Sequence, residues 1–183
     1  PTQHSVETLM ESGISADIVV CRTEHQLSDD LKDKLALFCN VKREAIIQSI
    51  DVETIYDVPM KMLNEGLDRE VLKKLNLTPT QKHNLKPWEA FLERFKNPKN
   101  KIKIGLVGKY VELQDSYKSI LESLIHSGAD NETEIEVVSL HSEKIDRKNV
   151  QESIKYLDGI IVAPGFGERG IDGKITAIEY ARI

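Results

Sequence analysis

The sequence predicts an α/β protein made of two partial three-layer α/β/α domains with mainly parallel sheets, joined by a linker. Two observations carry this reading. Short apolar runs of strand length alternate with stretches of helical patterning, as in parallel sheets covered by helices. The break Asn97-Pro98-Lys99-Asn100 then interrupts the chain, and a clean βαβαβ pattern restarts after it. There is no internal repeat and no low-complexity tract.

Each element has its own signal. His4 to Ser12 reads as a short helix closed by Gly13. Ala16 to Cys21 (ADIVVC) is a buried strand. Ser28 or Asp30 caps the helical stretch leading to Lys34. Leu35 to Cys39 (LALFC) predicts a second strand and Ala45 to Ser49 a third. After Asp57-Val58-Pro59, Met60 to Asn64 reads as helix broken at Gly66, and Asp68 caps a further helix through Leu75. Pro87 sits at the first position of a helix from Trp88 to Lys96. Beyond the break, Lys101 to Val107, Glu134 to Leu140 and Asp158 to Val162 are strands. Between them lie helices from Ser116 to His126, capped by Asp115 and followed by Gly128, and from Asn149 to Leu157. A glycine-rich loop and a final helix follow the last strand.

Composition narrows the function classes. The 183 residues suit one ordinary domain or two small pieces, with 40% hydrophobic and 30% charged residues, as in soluble globular chains. A net charge of -5 argues against nucleic-acid binding. No apolar run approaches the roughly 20 residues of a membrane span. No basic segment followed by an apolar stretch opens the chain, so no signal peptide is expected. Cys21 and Cys39 sit in no zinc-ligand spacing and read as buried structural thiols, in keeping with a reduced, cytoplasmic setting. The five histidines form no HxH or HxxxH pattern, so no metal site is expected. The chain starts at Pro1 without methionine and ends at Ile183 within a predicted helix, so both ends read as cuts.

Chemistry concentrates at strand ends. The loop Ala163-Pro164-Gly165-Phe166-Gly167-Glu168-Arg169-Gly170 follows a buried strand and precedes a helix, where open α/β sheets bind ligands. Its free N–H groups suit an anion or oxyanion; a tight turn without a ligand is an equal reading. Gly105 to Tyr110 fails as a P-loop, because the spacing is short and Tyr110 stands where a hydroxyl must hold magnesium. Lys109 remains a candidate at its strand end. Lys34 and Arg22 are cations at strand entrances and exits, where a solvated charge is the plainer reading, and Asp51 reads as a turn residue.

Several stretches resemble the CTP synthase family. Pro1-Thr2-Gln3-His4-Ser5 resembles its KTKPTQHS segment, cut after the second lysine. ADIVVCR (16–22), KLALFCNV (34–41), DVETIYDVP (51–59) and GLD (66–68) follow in family order. IGLVGKYVELQDSYKSI (104–120) resembles the opening of the family's glutaminase domain. APGFGERGIDGKITAIEYAR (163–182) resembles its glutamine-site loop and following helix. Together they cover essentially the whole chain.

The resemblance implies a P-loop-type synthetase fold over residues 1–78, an interdomain linker with a helix over 79–100, and a flavodoxin-like class I glutaminase fold over 101–183. It implies ATP-dependent amination of UTP to CTP, with ammonia released from L-glutamine. It also implies Mg2+, feedback inhibition by CTP, activation by GTP and a homotetramer. Residue by residue, Pro1, Thr2, Gln3 and Lys34 fall on its UTP/CTP-binding positions. Ile50, Asp51, Val52 and Arg22 fall on its ATP side. Gly165 matches the glycine that contacts glutamine, with an N–H for the oxyanion. Many members read PGGFG in this loop; here Pro164 replaces a glycine and has no N–H to donate. The family's P-loop, magnesium ligands, nucleophilic cysteine, histidine and glutamate are expected outside residues 1–183, so the isolated segment is expected to be inactive, with apolar sheet edges exposed. The alternative is a truncated, non-catalytic paralogue that binds nucleotide or joins full-length subunits.

Overall fold

The computed structural model describes residues 2–78 and 84–182, which form two compact units that divide between Asn84 and Leu85. The first contains α1 (Thr2–Glu11), β1 (Val19–Thr23), α2 (Asp29–Phe38), β2 (Ile46–Ile50), α3 (Val58–Glu65) and α4 (Leu67–Lys74). β1 and β2 pair in parallel, Val19 opposite Ile46 and Thr23 opposite Ile50. Val6 of α1, Ala36 and Cys39 around α2, and Val19, Cys21 and Ile46 form one buried cluster. Burial pushes both thiols up, that of Cys21 and that of Cys39, which keeps them protonated as core residues.

One predicted strand is helix. LALFC belongs to α2, which runs on from its cap through Phe38. The Ser28 side chain accepts from the Leu31 N–H, and Asp29 and Asp30 lie in the positive first turn. Ala36 and Cys39, three apart, face the core, whereas Leu37 is 78% exposed. That is a helical period. Lys34 therefore lies mid-helix on an exposed face rather than at a strand entrance.

A polar knot fixes the end of β2. Gln48 is buried; its Oε1 accepts from the Leu27 N–H at 3.0 Å and its Nε2 donates to Glu65 Oε1 at 2.9 Å. The Gln48 N–H and Lys32 Nζ both donate to Glu65 Oε2, each at 3.3 Å. Burial alone would raise the Glu65 pKa. The Gln48 bonds and the Lys32 charge outweigh it and hold the carboxyl below its ordinary value. A depressed carboxyl contributes stability above its unfolded pKa, about 4.3, and that contribution fades as pH falls through the folded value. Glu65→Gln is expected to cost about 1 kcal/mol at neutral pH and progressively less toward about pH 3, read by urea denaturation across that range. A pH-independent difference would contradict the assignment.

The second unit contains α5 (Lys86–Lys96), β3 (Asn100–Gly108), α6 (Lys118–Asp130), β4 (Thr133–His141), α7 (Val150–Ile154), β5 (Gly159–Val162) and α8 (Ile171–Ala181). All its strands are parallel, in the order β4-β3-β5. α5, which sequence patterning places in the linker, packs here on α6: Arg94 Nε donates to Ala129 O at 3.2 Å, and Phe91 meets His126 edge-on. The α6 helix starts later than expected, after a 3₁₀ turn at Gln114–Tyr117, and Gly128 lies inside it rather than beyond it. Gly128 is needed there because a Cβ would sit 2.6 Å from Thr133 O. Val107, Ile145, Val150, Ile154 and Ala177 fill one side of the sheet; Leu106, Tyr117 and Ala163 fill the other.

Candidate functional site

Two surfaces at strand ends gather the residues singled out in the sequence. In the first unit, β1 and β2 end side by side, so their C-terminal residues converge. Arg22, Ile50, Asp51 and Val52 line a single open pocket of about 400 Å³ with Ser49, Ile55 and Val58. Arg22 Nε donates to Asp51 Oδ1 at 2.8 Å, and this bond and the carboxylate charge raise the guanidinium pKa. The Asp51 N–H donates to Thr23 O, which holds the chain as it leaves β2. The pocket therefore offers backbone edges, aliphatic walls from Ile50, Val52, Ile55 and Val58, and a charged pair at its rim. Flat, partly polar ring systems suit such a surface.

The other nucleotide candidates lie elsewhere in this unit. Thr2 and Gln3 open α1 and are half-buried, Lys34 is exposed on α2, and none of them lines the pocket. Pro1 lies outside the described residues.

In the second unit, the glycine-rich loop leaves β5 and enters α8 above the C-terminal end of β3. Gly167 and Gly170 have φ of 76° and 74°, a left-handed backbone that glycine adopts without strain. The loop is tied down from several directions. Arg169 Nε pairs with Glu143 Oε1 at 2.7 Å, and its guanidinium lies 5.6 Å from the Tyr110 ring centre. Lys174 Nζ donates to Ala163 O at 2.8 Å. Lys109 Nζ donates to Phe166 O and to Gly167 O. Lys109 is itself fixed: Tyr117 Oη accepts its N–H at 3.0 Å and the Tyr110 N–H at 3.3 Å. Gly108 admits that phenol, since a Cβ there would lie 2.5 Å from the oxygen.

The result is a loop with the carbonyls of Ala163, Phe166, Gly167 and Glu168 engaged. No described residue accepts from the N–H of Gly165, Phe166, Gly167 or Glu168. Such an array of donors at a strand end can receive an anion or oxyanion. Sequence reading singled out Gly165 and the loop. It missed Tyr117 and Lys174, although the GKY run at the end of β3 pointed to Lys109.

Residues 112–183, which carry β4, β5 and the donor loop, match the family model described as Glutamine amidotransferase class-I. Residues 1–77 match the model described as CTP synthase N-terminus. The CTP synthase of Flavobacterium psychrophilum is 66% identical over 182 residues, covering 100% of this chain and 34% of that protein. That of Christiangramia forsetii is 65% identical over 182 residues, covering 100% and 33%. That of Methanocaldococcus jannaschii is 50% identical over 188 residues, covering 100% and 35%. A solved structure, "Trypanosoma brucei CTPS - glutaminase domain with bound acivicin", is 35% identical, covers 44% of this chain and 32% of its own, and has a TM-score of 0.40. The chain belongs to the CTP synthase family. It spans about a third of the length of the curated relatives it matches.

Proposed function

We propose that the protein carrying this chain is a glutamine-hydrolysing CTP synthase, a C–N ligase of pyrimidine nucleotide biosynthesis. ATP phosphorylates the uracil 4-oxygen of UTP, and ammonia released from L-glutamine displaces that phosphate. The observation that carries this reading is the ordered, full-length match of the chain to CTP synthases from distant organisms. In this reading residues 1–78 are the C-terminal part of the synthetase domain, 79–100 the linker and 101–183 the opening part of the glutaminase domain.

The pocket around Arg22, Ile50, Asp51 and Val52 takes the base of ATP, and Pro1, Thr2, Gln3 and Lys34 serve UTP or inhibitory CTP. The aliphatic walls and exposed backbone edges of the pocket favour this assignment. Gly165 directs its N–H at the oxyanion of the glutamine carbonyl. Mg2+ accompanies the ATP phosphates. Among the described residues no group of three or more His, Cys, Asp or Glu is placed to hold a metal ion. GTP as activator, a homotetramer and a cytoplasmic location complete the proposal. Among the described residues no helix is long and apolar enough to cross a membrane.

Incubating the full-length protein with UTP, ATP, Mg2+ and glutamine is expected to yield CTP and glutamate in equal amounts, with ammonia able to replace glutamine. No CTP from either nitrogen source would overturn the reading. For the ATP pocket, Val52→Arg is expected to raise KM for ATP by about tenfold, a loss near 1.4 kcal/mol, with KM for glutamine unchanged. An unchanged ATP KM would move the base elsewhere.

A further inference from the structure

We propose that Lys109 and Lys174 are positioning residues for glutamine hydrolysis: Lys109 holds the Phe166 and Gly167 carbonyls so that the N–H groups that follow them face the substrate, and Lys174 pins the start of the loop at Ala163. This rests on the reading of the loop as the glutamine site.

The argument starts from the planarity of the peptide. Within one peptide plane the C=O of a residue and the N–H of the next point in opposite directions. Holding a carbonyl therefore aims the following N–H. Lys109 Nζ takes the carbonyls of Phe166 and Gly167, so the N–H groups of Gly167 and Glu168 are turned away from it. Lys174 Nζ takes the Ala163 carbonyl at the other end of the loop; the next residue, Pro164, has no N–H, so this bond pins the start of the loop rather than aiming a donor. The Gly165 N–H shares its peptide plane with the Pro164 carbonyl, which neither lysine holds; it lies between the two anchored stretches and has no partner among the described residues.

The lysines differ from solvated surface charges. Lys109 is only 4% exposed, and its ammonium has carbonyl oxygens rather than a carboxylate as neighbours among the described residues. A buried ammonium is costly unless its hydrogens are used, and the loop carbonyls use them. Its positive charge is left uncompensated close to the donor array. An ideal Cβ on Gly165 would lie 3.5 Å from Lys109 Cε and 3.5 Å from Lys174 Nζ, so both side chains flank this one residue. A fixed positive field beside fixed donors favours an oxyanion and needs no rearrangement during reaction. Tyr117 Oη and Gly108 set the backbone of Lys109 and so lie one step behind it.

The test uses the full-length protein. Lys109→Met is expected to lower kcat for glutamine hydrolysis by about 100-fold, the usual effect of losing one oxyanion-hole element, with KM changed by less than about threefold. CTP formation from ammonia should be retained, because that route bypasses the loop. Lys174→Met should lower glutamine kcat by about tenfold with the same sparing of the ammonia route. Glutamine kcat within about twofold of wild type in both variants overturns the proposal. If Lys109→Met also loses the ammonia route, its fold has failed and Lys174→Met decides: a selective loss supports the clamp and no change overturns it. A wild-type protein that hydrolyses no glutamine would instead sink the function proposed above, and this inference with it.

Discussion

In the full-length protein, Gly165→Pro is expected to lower kcat for glutamine hydrolysis by about 100- to 1,000-fold, the range for removing one oxyanion donor. The substitution deletes the N–H. Gly165 is not among the residues in the left-handed region, and no hydrogen bond among the described residues is lost. Gly165→Ala is the matched control. It keeps the N–H and places a Cβ in ordinary contact with the Lys109 and Lys174 side chains, 3.5 Å away. Alanine should therefore stay within about threefold of wild type. Steady-state kinetics with glutamine and with ammonia separate the outcomes. Equal losses in alanine and proline variants would show that bulk rather than the donor matters.

Eight residues further on, the same glycine-to-alanine change is expected to be severe for another reason. A Cβ on Gly173 would lie 1.7 Å from Ser142 O, 2.8 Å from Ser142 C and 3.0 Å from Ile145 O. All three are backbone atoms, so no side-chain rotation relieves the clash. The first turn of α8 would have to leave the turn at Ser142–Lys144. With it would go the Ala177 packing against Val107 and Val150. The cost should reach about 3 kcal/mol or more, at the upper end for overpacking. Thermal unfolding of the full-length protein should show an earlier transition, together with loss of glutamine-dependent but not ammonia-dependent activity. A transition within about 2 °C of wild type would contradict the close approach.

These two glycines show what the sequence discloses. Gly165 is legible because it lies in a motif at a strand end. The need for glycine at 173 is not, because it arises from a backbone more than 25 residues away. The strands of the second unit were legible because KIKIGLV, EIEVVSL and DGIIV are rich in β-branched residues. LALFC was misread because a short run of leucine and alanine fits either state, and only the capped helix before it decides. The pocket residues Arg22, Asp51 and Val52 could be picked individually. Their convergence depends on the register of β1 against β2. The grip of Lys109 on the loop spans 57 and 58 residues of chain, and a lone lysine otherwise reads as surface charge.

The central place of β3 in the order β4-β3-β5 also sets a timetable. Lys101 meets Glu134 across 33 residues, whereas the Asp158 side chain must span 55 to reach the Lys103 N–H. Closing the shorter span is entropically cheaper, so the β3–β4 pair with its crossover helix is expected to assemble first and β5 to dock onto it. The donor loop emerges from β5 and is anchored by Lys109 at the end of β3. The geometry of the donor loop is thus completed late in folding, and an intermediate lacking β5 would lack it.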